Sequence, residues 1–224
     1  MVTSVNEGKL ARLINTLTQM WDDPQESNLL TQTIRDLDSR HGLSEKIAKE
    51  PGVEEIITQM AGRLANTGKK LSDFQGKRIL DIACGSNSSK APDAVHIKTP
   101  FRNITLGNPP KGYTALFEPW FCRILLELGA DPVGVDFGDL DRETFTHYQV
   151  DLGKVGALDF LADHSFDGVQ DSRLFGSPEF TAQFPEYQDR LQIAREIGRQ
   201  EIRLLKPGGI VIHSDAQEWL EKIK

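Results

Sequence analysis

The 224-residue chain is long enough for one sizeable α/β core, able to bury roughly 70–75% of its unfolded surface. Its 26 Lys and Arg against 33 Asp and Glu leave a formal net charge of −7, and with no basic block this argues against general affinity for nucleic-acid phosphates. Two cysteines make no disulfide framework, no run reaches the roughly 18 apolar residues of a membrane span, and the start, with Asn6, Glu7 and Lys9, lacks a signal-peptide core; a soluble cytoplasmic protein with no membrane partner is expected.

In chain order, Leu10, Leu13, Ile14, Leu17 and Trp21 fall on one helical face, predicting a helix over Lys9–Trp21. Asp23-Pro24 has the form of an N-cap followed by proline at the first helical position. It opens a second helix through Leu29, Leu30, Ile34 and Leu37 to a stop at Gly42. A short segment at Ser44–Lys49 and a helix from Val53 to Ala65 complete an all-helical leader over residues 1–70. It is expected to cover an edge or mouth of the following domain, 71–224, as a structural layer or as a lid.

The β-branched apolar run Arg78–Ile82 then breaks into Ala83, Cys84, Gly85 and Ser86, the pattern of a buried strand entering a ligand loop. Asn87–Lys111, rich in Pro, Gly, Asn and Ser, fits neither helix nor strand and is expected to be an irregular functional insertion. Helical spacing resumes through Leu116, Phe117, Trp120, Ile124, Leu125 and Leu128, with Pro119 moving the regular start toward Glu118. Further strands are expected at Pro132–Asp136, Thr146–Val150 and Phe166–Gln170, with a brief helical piece at Leu158–Ala162. A long amphipathic helix from about Pro185 stops at Lys206-Pro207-Gly208-Gly209, ahead of a fifth strand at Ile210–Ile212 and a last helix from Asp215.

Strands separated by helical stretches predict βαβ units. The fold class is therefore α/β, a Rossmann-like doubly wound, mostly parallel sheet with helices on both faces and ligands at the carboxyl ends of its strands. The Ala83–Asn87 loop, Asp136, Asp151 and Gln170–Arg173 all fall at those ends.

Together these residues resemble the class I S-adenosylmethionine-dependent methyltransferases, over Leu71 to Ser214. Ile79-Leu80-Asp81-Ile82-Ala83-Cys84-Gly85-Ser86 is similar to that family's first motif and Pro132-Val133-Gly134-Val135-Asp136 to its second. Val150-Asp151-Leu152, Phe166-Asp167-Gly168-Val169 and Leu204-Leu205-Lys206-Pro207-Gly208-Gly209-Ile210-Val211 are similar to the next three, in order. The resemblance implies S-adenosylmethionine as cofactor. It implies that the Ala83–Gly85–Ser86 turn approaches the methionine and ribose portions, and that Asp81 fixes the turn or meets the amino group. It further implies that Asp136, with Phe137 beside it, accepts the ribose hydroxyls. Asp151 would receive the adenine amino group, Leu152 would pack on the ring, and Gln170-Asp171-Ser172 would lie along the methionine end.

Two departures from the family pattern stand out. The second-strand acid follows the glycine turn at far more than the usual roughly 20 residues, the excess being the 87–111 segment, read as a lid over cofactor or substrate. The family's C-terminal hairpin has no counterpart after Asp215, which leaves strand five an edge that a partner subunit in a homodimer, the leader helices or a further segment would cover. The acceptor is expected to be a small molecule or a protein. Asp171 and Glu118 are the candidate catalytic acids; His96 and Tyr113, with His213, are candidate substrate contacts. A base is not required, because an activated methyl needs chiefly an aligned nucleophile at about 3–3.5 Å. Asn108-Pro109-Pro110-Lys111 resembles the Asn-Pro-Pro-aromatic motif of amino-methylating nucleic-acid enzymes but precedes the first helix of the domain instead of following strand four. Five scattered histidines supply no metal ligand set. Two other readings stand beside methyl transfer: a methyltransferase-like protein that binds without turnover, and a nicotinamide-dependent oxidoreductase.

Overall fold

The computed structural model describes residues 2–87, 90–91, 95–98, 103–106, 112–113, 115–171, 174–175 and 178–221, with the backbone alone at 2–6, 90–91, 95–98, 103–106, 112–113, 178–179 and 219. Four helices form the leader: α1 (Val2–Thr18), α2 (Pro24–His41), α3 (Leu43–Lys49) and α4 (Gly52–Asn66). The Asp23 carboxylate accepts the Gln25 N–H at 2.9 Å, capping α2. Gly42 ends it at φ 63, its N–H donating to the Asp38 carbonyl at 2.8 Å.

Strand β1 (Arg78–Ile82) is followed by two small antiparallel ribbons, β2 (Lys90–Ala91) paired with β5 (Gly112–Tyr113), and β3 (Val95–Lys98) paired with β4 (Asn103–Leu106). The expectation of no regular structure in 87–111 is thus corrected. Val95, Ile97, Ile104 and Thr105 are β-branched, a residue type that favours strands, and the segment's glycine and its other prolines lie outside Val95–Leu106, in which Pro100 is the single Pro or Gly. Then come α5 (Trp120–Glu127), β6 (Asp131–Asp136), β7 (Thr146–Gln149), β8 (Phe166–Asp171), α6 (Pro178–Gln183), α7 (Tyr187–Leu204), β9 (Leu205–His213) and α8 (Asp215–Glu221).

The main sheet is five-stranded and parallel throughout, in the order β7-β6-β1-β8-β9. The chain builds outward from β1 through β6 and β7, then returns to the other side of β1 for β8 and β9. The strand order therefore reverses between β1 and β8, and their carboxyl ends flank the crevice where such sheets bind ligands. Alternation along β1 sends Ile79 to one face and Leu80 and Ile82 to the other. The first face packs on α5 and the leader, where Leu13, Leu17, Ile34 and Leu37 are fully buried, each contributing roughly 1.5–3 kcal/mol. The second face packs Val133, Val135 and Val169 against Ile193, Ala194 and Ile197 of α7. The structure is a Rossmann-like α/β fold in which the leader shares a core with the sheet.

Two further expectations change. Leu158–Ala162 forms turns, not a helix, because so short a stretch lacks the length to offset helix nucleation; Leu158 and Leu161 are nonetheless buried. The Lys206-Pro207-Gly208-Gly209 cluster lies inside β9: Phe166 pairs with Leu205 but Gly168 with Ile210, so the cluster bulges out of register without ending the strand. Helix α6 was not expected from the sequence. It runs beside β3, so the hairpin of the insertion lies close to the segment that follows β8.

Candidate functional site

The loop after β1 is fastened on every side by its own backbone. Ala83 adopts φ 58, a left-handed conformation that costs an L residue roughly 1–2 kcal/mol and that glycine takes freely. The Cys84 N–H donates to the Val135 carbonyl at 3.1 Å, Ser86 to Phe117 at 2.7 Å and Asn87 to Asp139 at 2.9 Å. The Gly85 N–H donates to Asp136 Oδ2 at 2.9 Å, while Gly138 donates to Oδ1 at 2.8 Å. Gly85 has φ 97, and a Cβ there would stand 2.2 Å from the Phe117 carbonyl oxygen. The close approach that demands glycine is thus to protein backbone, where the resemblance implied approach to a cofactor. Burial pushes the Asp136 carboxyl above its ordinary value, and the N–H groups of Gly138 and Gly85 pull it back. The Phe137 N–H also pulls it back, and the two oxygens together retain room for a further donor. The next ring, Phe137, is 64% exposed.

Asp81 and Gln170, adjacent across β1 and β8, are both buried. Gln170 Nε2 donates to Asp81 Oδ1 at 3.0 Å, and Cys122 Sγ reaches Oδ2 at 3.6 Å. Asp81 therefore lies within the sheet-to-α5 layer. Burial pushes the Cys84 thiol up to about 11 and the Cys122 thiol well above its ordinary value, so both stay protonated and unreactive. On β8, the Asp171 carboxylate accepts the N–H groups of Asp215 and Ala216, the latter at 2.9 Å, and so caps α8. Burial, then Glu201 and Asp215, push the Asp171 carboxyl well up; burial pushes the neighbouring Glu201 up to about 7. Glu201 Oε2 accepts from Ser214 Oγ at 2.8 Å, and His213 Nε2 lies 2.7 Å from Asp215. After β7, Asp151 Oδ1 accepts the Gly153 N–H at 3.1 Å and Leu152 is buried. A Cβ on Gly153 would meet the Phe184 ring at 2.1 Å, and a cavity of about 420 Å³ opens between this turn and α7.

Glu118 sits in a different cluster. Its Oε2 accepts from Arg123 and, at 2.6 Å, from Lys46 of the leader. The Arg123 guanidinium also grips Glu143 (2.7 Å) and Asn87 Oδ1 (2.8 Å). Beneath them lies the buried Trp120 ring, with Arg123 at 4.8 Å and Lys46 at 5.1 Å from its centroid and His41 edge-on at 6.5 Å. A cavity of about 590 Å³ lies among these groups.

The fold thus joins the turn after β1 to Asp136 and joins Asp81 to Gln170, while Asp171 and Glu118 stand in separate clusters. His96 lies on β3 and Tyr113 on β5, with their side chains outside the described residues, as are Ser172, Arg173 and Asn108–Lys111. Sequence reasoning missed the group around Arg123. Its one local signal was an arginine alone in the apolar run Trp120–Leu126, a position where a charge is seldom buried without partners. Among the described residues, no set of three or more His, Cys, Asp or Glu is placed to hold a metal ion, and no helix is long and apolar enough to cross a membrane. The sequence matches no protein-family model and no curated protein. Fold and site define a class by themselves: a parallel, Rossmann-like α/β protein with a glycine turn and an acid at neighbouring strand ends.

Proposed function

We propose that this protein transfers the methyl group of S-adenosylmethionine to a small-molecule acceptor by direct displacement. The observation that carries the reading is the chemistry left on the glycine turn. Its N–H groups from Cys84 to Asn87 are all spent on Val135, Asp136, Phe117 and Asp139. A pyrophosphate, which needs such donors, finds none there, and this disfavours a nicotinamide dinucleotide. A ligand carrying an ammonium group and a ribose suits the turn better, since carbonyls and the Asp136 carboxylate are acceptors. Low bulk at Ala83, and the residual acceptor capacity of Asp136, fit that cofactor.

In this reading Asp136 holds the ribose, the exposed Phe137 ring and Leu152 border the adenine with Asp151 near its amino group, and the turn carbonyls receive the amino end. When bound, the cofactor supplies a methyl already activated by its sulfonium. The protein's task is then to orient the acceptor and exclude water. Asp171 spends its carboxylate on the α8 N–H groups, so its part is to shape the end of β8; Glu118 positions the neck of the leader through Lys46 and Arg123. The hairpin beside α6 acts as the lid.

Calorimetry of the full chain with S-adenosylmethionine and S-adenosylhomocysteine tests this. Both bind, and Asp136→Ala weakens S-adenosylhomocysteine by about tenfold or more, as loss of charge-assisted hydrogen bonds implies. A melting temperature close to wild type shows that the fold is retained. No binding of either compound to the wild-type protein sinks the reading, and preferential stabilisation by NAD turns it toward an oxidoreductase.

A further inference from the structure

The cavity of about 590 Å³ is walled on one side by the leader and on the other by Asn87, the residue that leaves the glycine turn. Its size falls within the roughly 300–1,000 Å³ of small-molecule sites. Four cations line it, Arg40, Lys46, Arg123 and Arg142, against two carboxylates, Glu118 and Glu143, in a chain whose net charge is −7. The two acids are already engaged by Arg123 and Lys46. Arg142, on the β6–β7 connection, forms no ion pair among the described residues. Lys46 has given one of its three N–H groups to Glu118. Asn87 adds a second kind of donor. Its Oδ1 is taken by Arg123, and its Nδ2 is buried with no hydrogen-bond partner among the described residues. Such a group loses its hydration without compensation unless a ligand brings an acceptor. His41 contributes no charge, because burial and the nearby Arg123 push its imidazole down to about 4 and keep it neutral.

We infer that this cavity binds an oxyanion group, carboxylate or phosphate, of a small molecule, held by Arg142, Lys46 and the Asn87 amide. Naming that molecule as the methyl acceptor rests on the methyl-transfer reading; the anion site itself does not. An oxyanion seated here would be bounded by the leader and lie next to Asn87, so binding would draw the leader, the end of the glycine turn and the β6–β7 connection onto one ligand. The Trp120 ring below the cations excludes water from one side and strengthens their pull on an anion.

The test uses the full chain at fixed ionic strength with three probes, inorganic phosphate, benzoate and the neutral benzamide, titrated by calorimetry into wild type, Arg142→Gln and Asn87→Ala. Phosphate or benzoate binds the wild type, and whichever binds more tightly identifies the group as phosphate or carboxylate; benzamide does not bind. Affinity for that anion falls at least fivefold in Arg142→Gln, an exposed position where folding is not at stake, and also in Asn87→Ala. Affinity for S-adenosylhomocysteine stays within twofold in Arg142→Gln. Anions that bind no better than benzamide, or that bind Arg142→Gln as tightly as wild type, overturn the inference. Anion binding without S-adenosylhomocysteine binding upholds the site while removing the methyl-transfer reading, so the two fail separately.

Discussion

Glu118 and Glu143, against the leader, and Asp171 and Glu201, under α8, are carboxylates withdrawn from water at two corners of one sheet. The first pair is enclosed by Arg123 and Lys46. The second has backbone N–H groups and a serine hydroxyl as its donors, with Asp215 as a further like charge, and its proton affinity rises. Removing an ion from water costs several kcal/mol, and that cost can be met by a counter-ion or avoided by binding a proton. The leader corner should therefore be sensitive to loss of a cation. The α8 corner should be sensitive to pH.

The largest expected effect breaks the first corner. Arg123→Met removes the guanidinium from Glu143 and Glu118 at once and should cost about 3–5 kcal/mol, measured by urea unfolding. A loss under about 1 kcal/mol would mean that water reaches those carboxylates and that the corner is not buried as described.

The second prediction concerns the α8 corner. Burial raises the folded-state pKa of Glu201 to about 7 from its ordinary value of 4.5. Between those pH values the folded protein holds a proton that the unfolded chain has released, so wild-type stability declines as pH rises through that window. Asp171, also raised, acts in the same direction. Glu201→Gln keeps an acceptor for Ser214 and removes the titration. It should match or trail wild type near pH 4.5 and exceed it above pH 7, by on the order of 1–3 kcal/mol. Melting temperatures at the two pH values decide it; an unchanged difference between them would assign the acid corner a merely structural role.

The smallest effect sharpens the comparison. Lys46→Met leaves Arg123 on Glu118 and removes only a partly exposed partner, so the loss should be about 0.5–1 kcal/mol and shrink in high salt. A loss as large as that of Arg123→Met would show that the leader, not α5, carries the neutralising charge.

Much of the scaffold was legible because it is written locally. Asp23-Pro24 and Gly42 mark the ends of α2 by their own backbone preferences, and the short, mostly apolar, β-branched run Arg78–Ile82 announces a buried strand. The β3–β4 hairpin goes against expectation because the prolines and glycine around it in 87–111 outweigh the β-branched Val95, Ile97, Ile104 and Thr105 of its two strands. Leu158–Ala162 had helical spacing without helical length. The ion cluster was illegible for another reason: Lys46 lies 72 residues from Glu118, and Asn87 lies 36 from Arg123. Neither pairing leaves a periodic trace.

By itself the sequence determined the succession of the five main-sheet strands and of the leader helices, the small-residue turn after Ile82 and the acid that ends the next strand of the sheet, Asp136. All of these follow from periodicity and conformational preference over a few residues. The tertiary structure alone decided that the turn spends its N–H groups on Val135, Asp136, Phe117 and Asp139, leaving acceptors in place of donors. It also decided which buried carboxylates are paired and which take up a proton. Desolvation and hydrogen bonding depend on groups brought together across the fold, and those neighbours are set by packing.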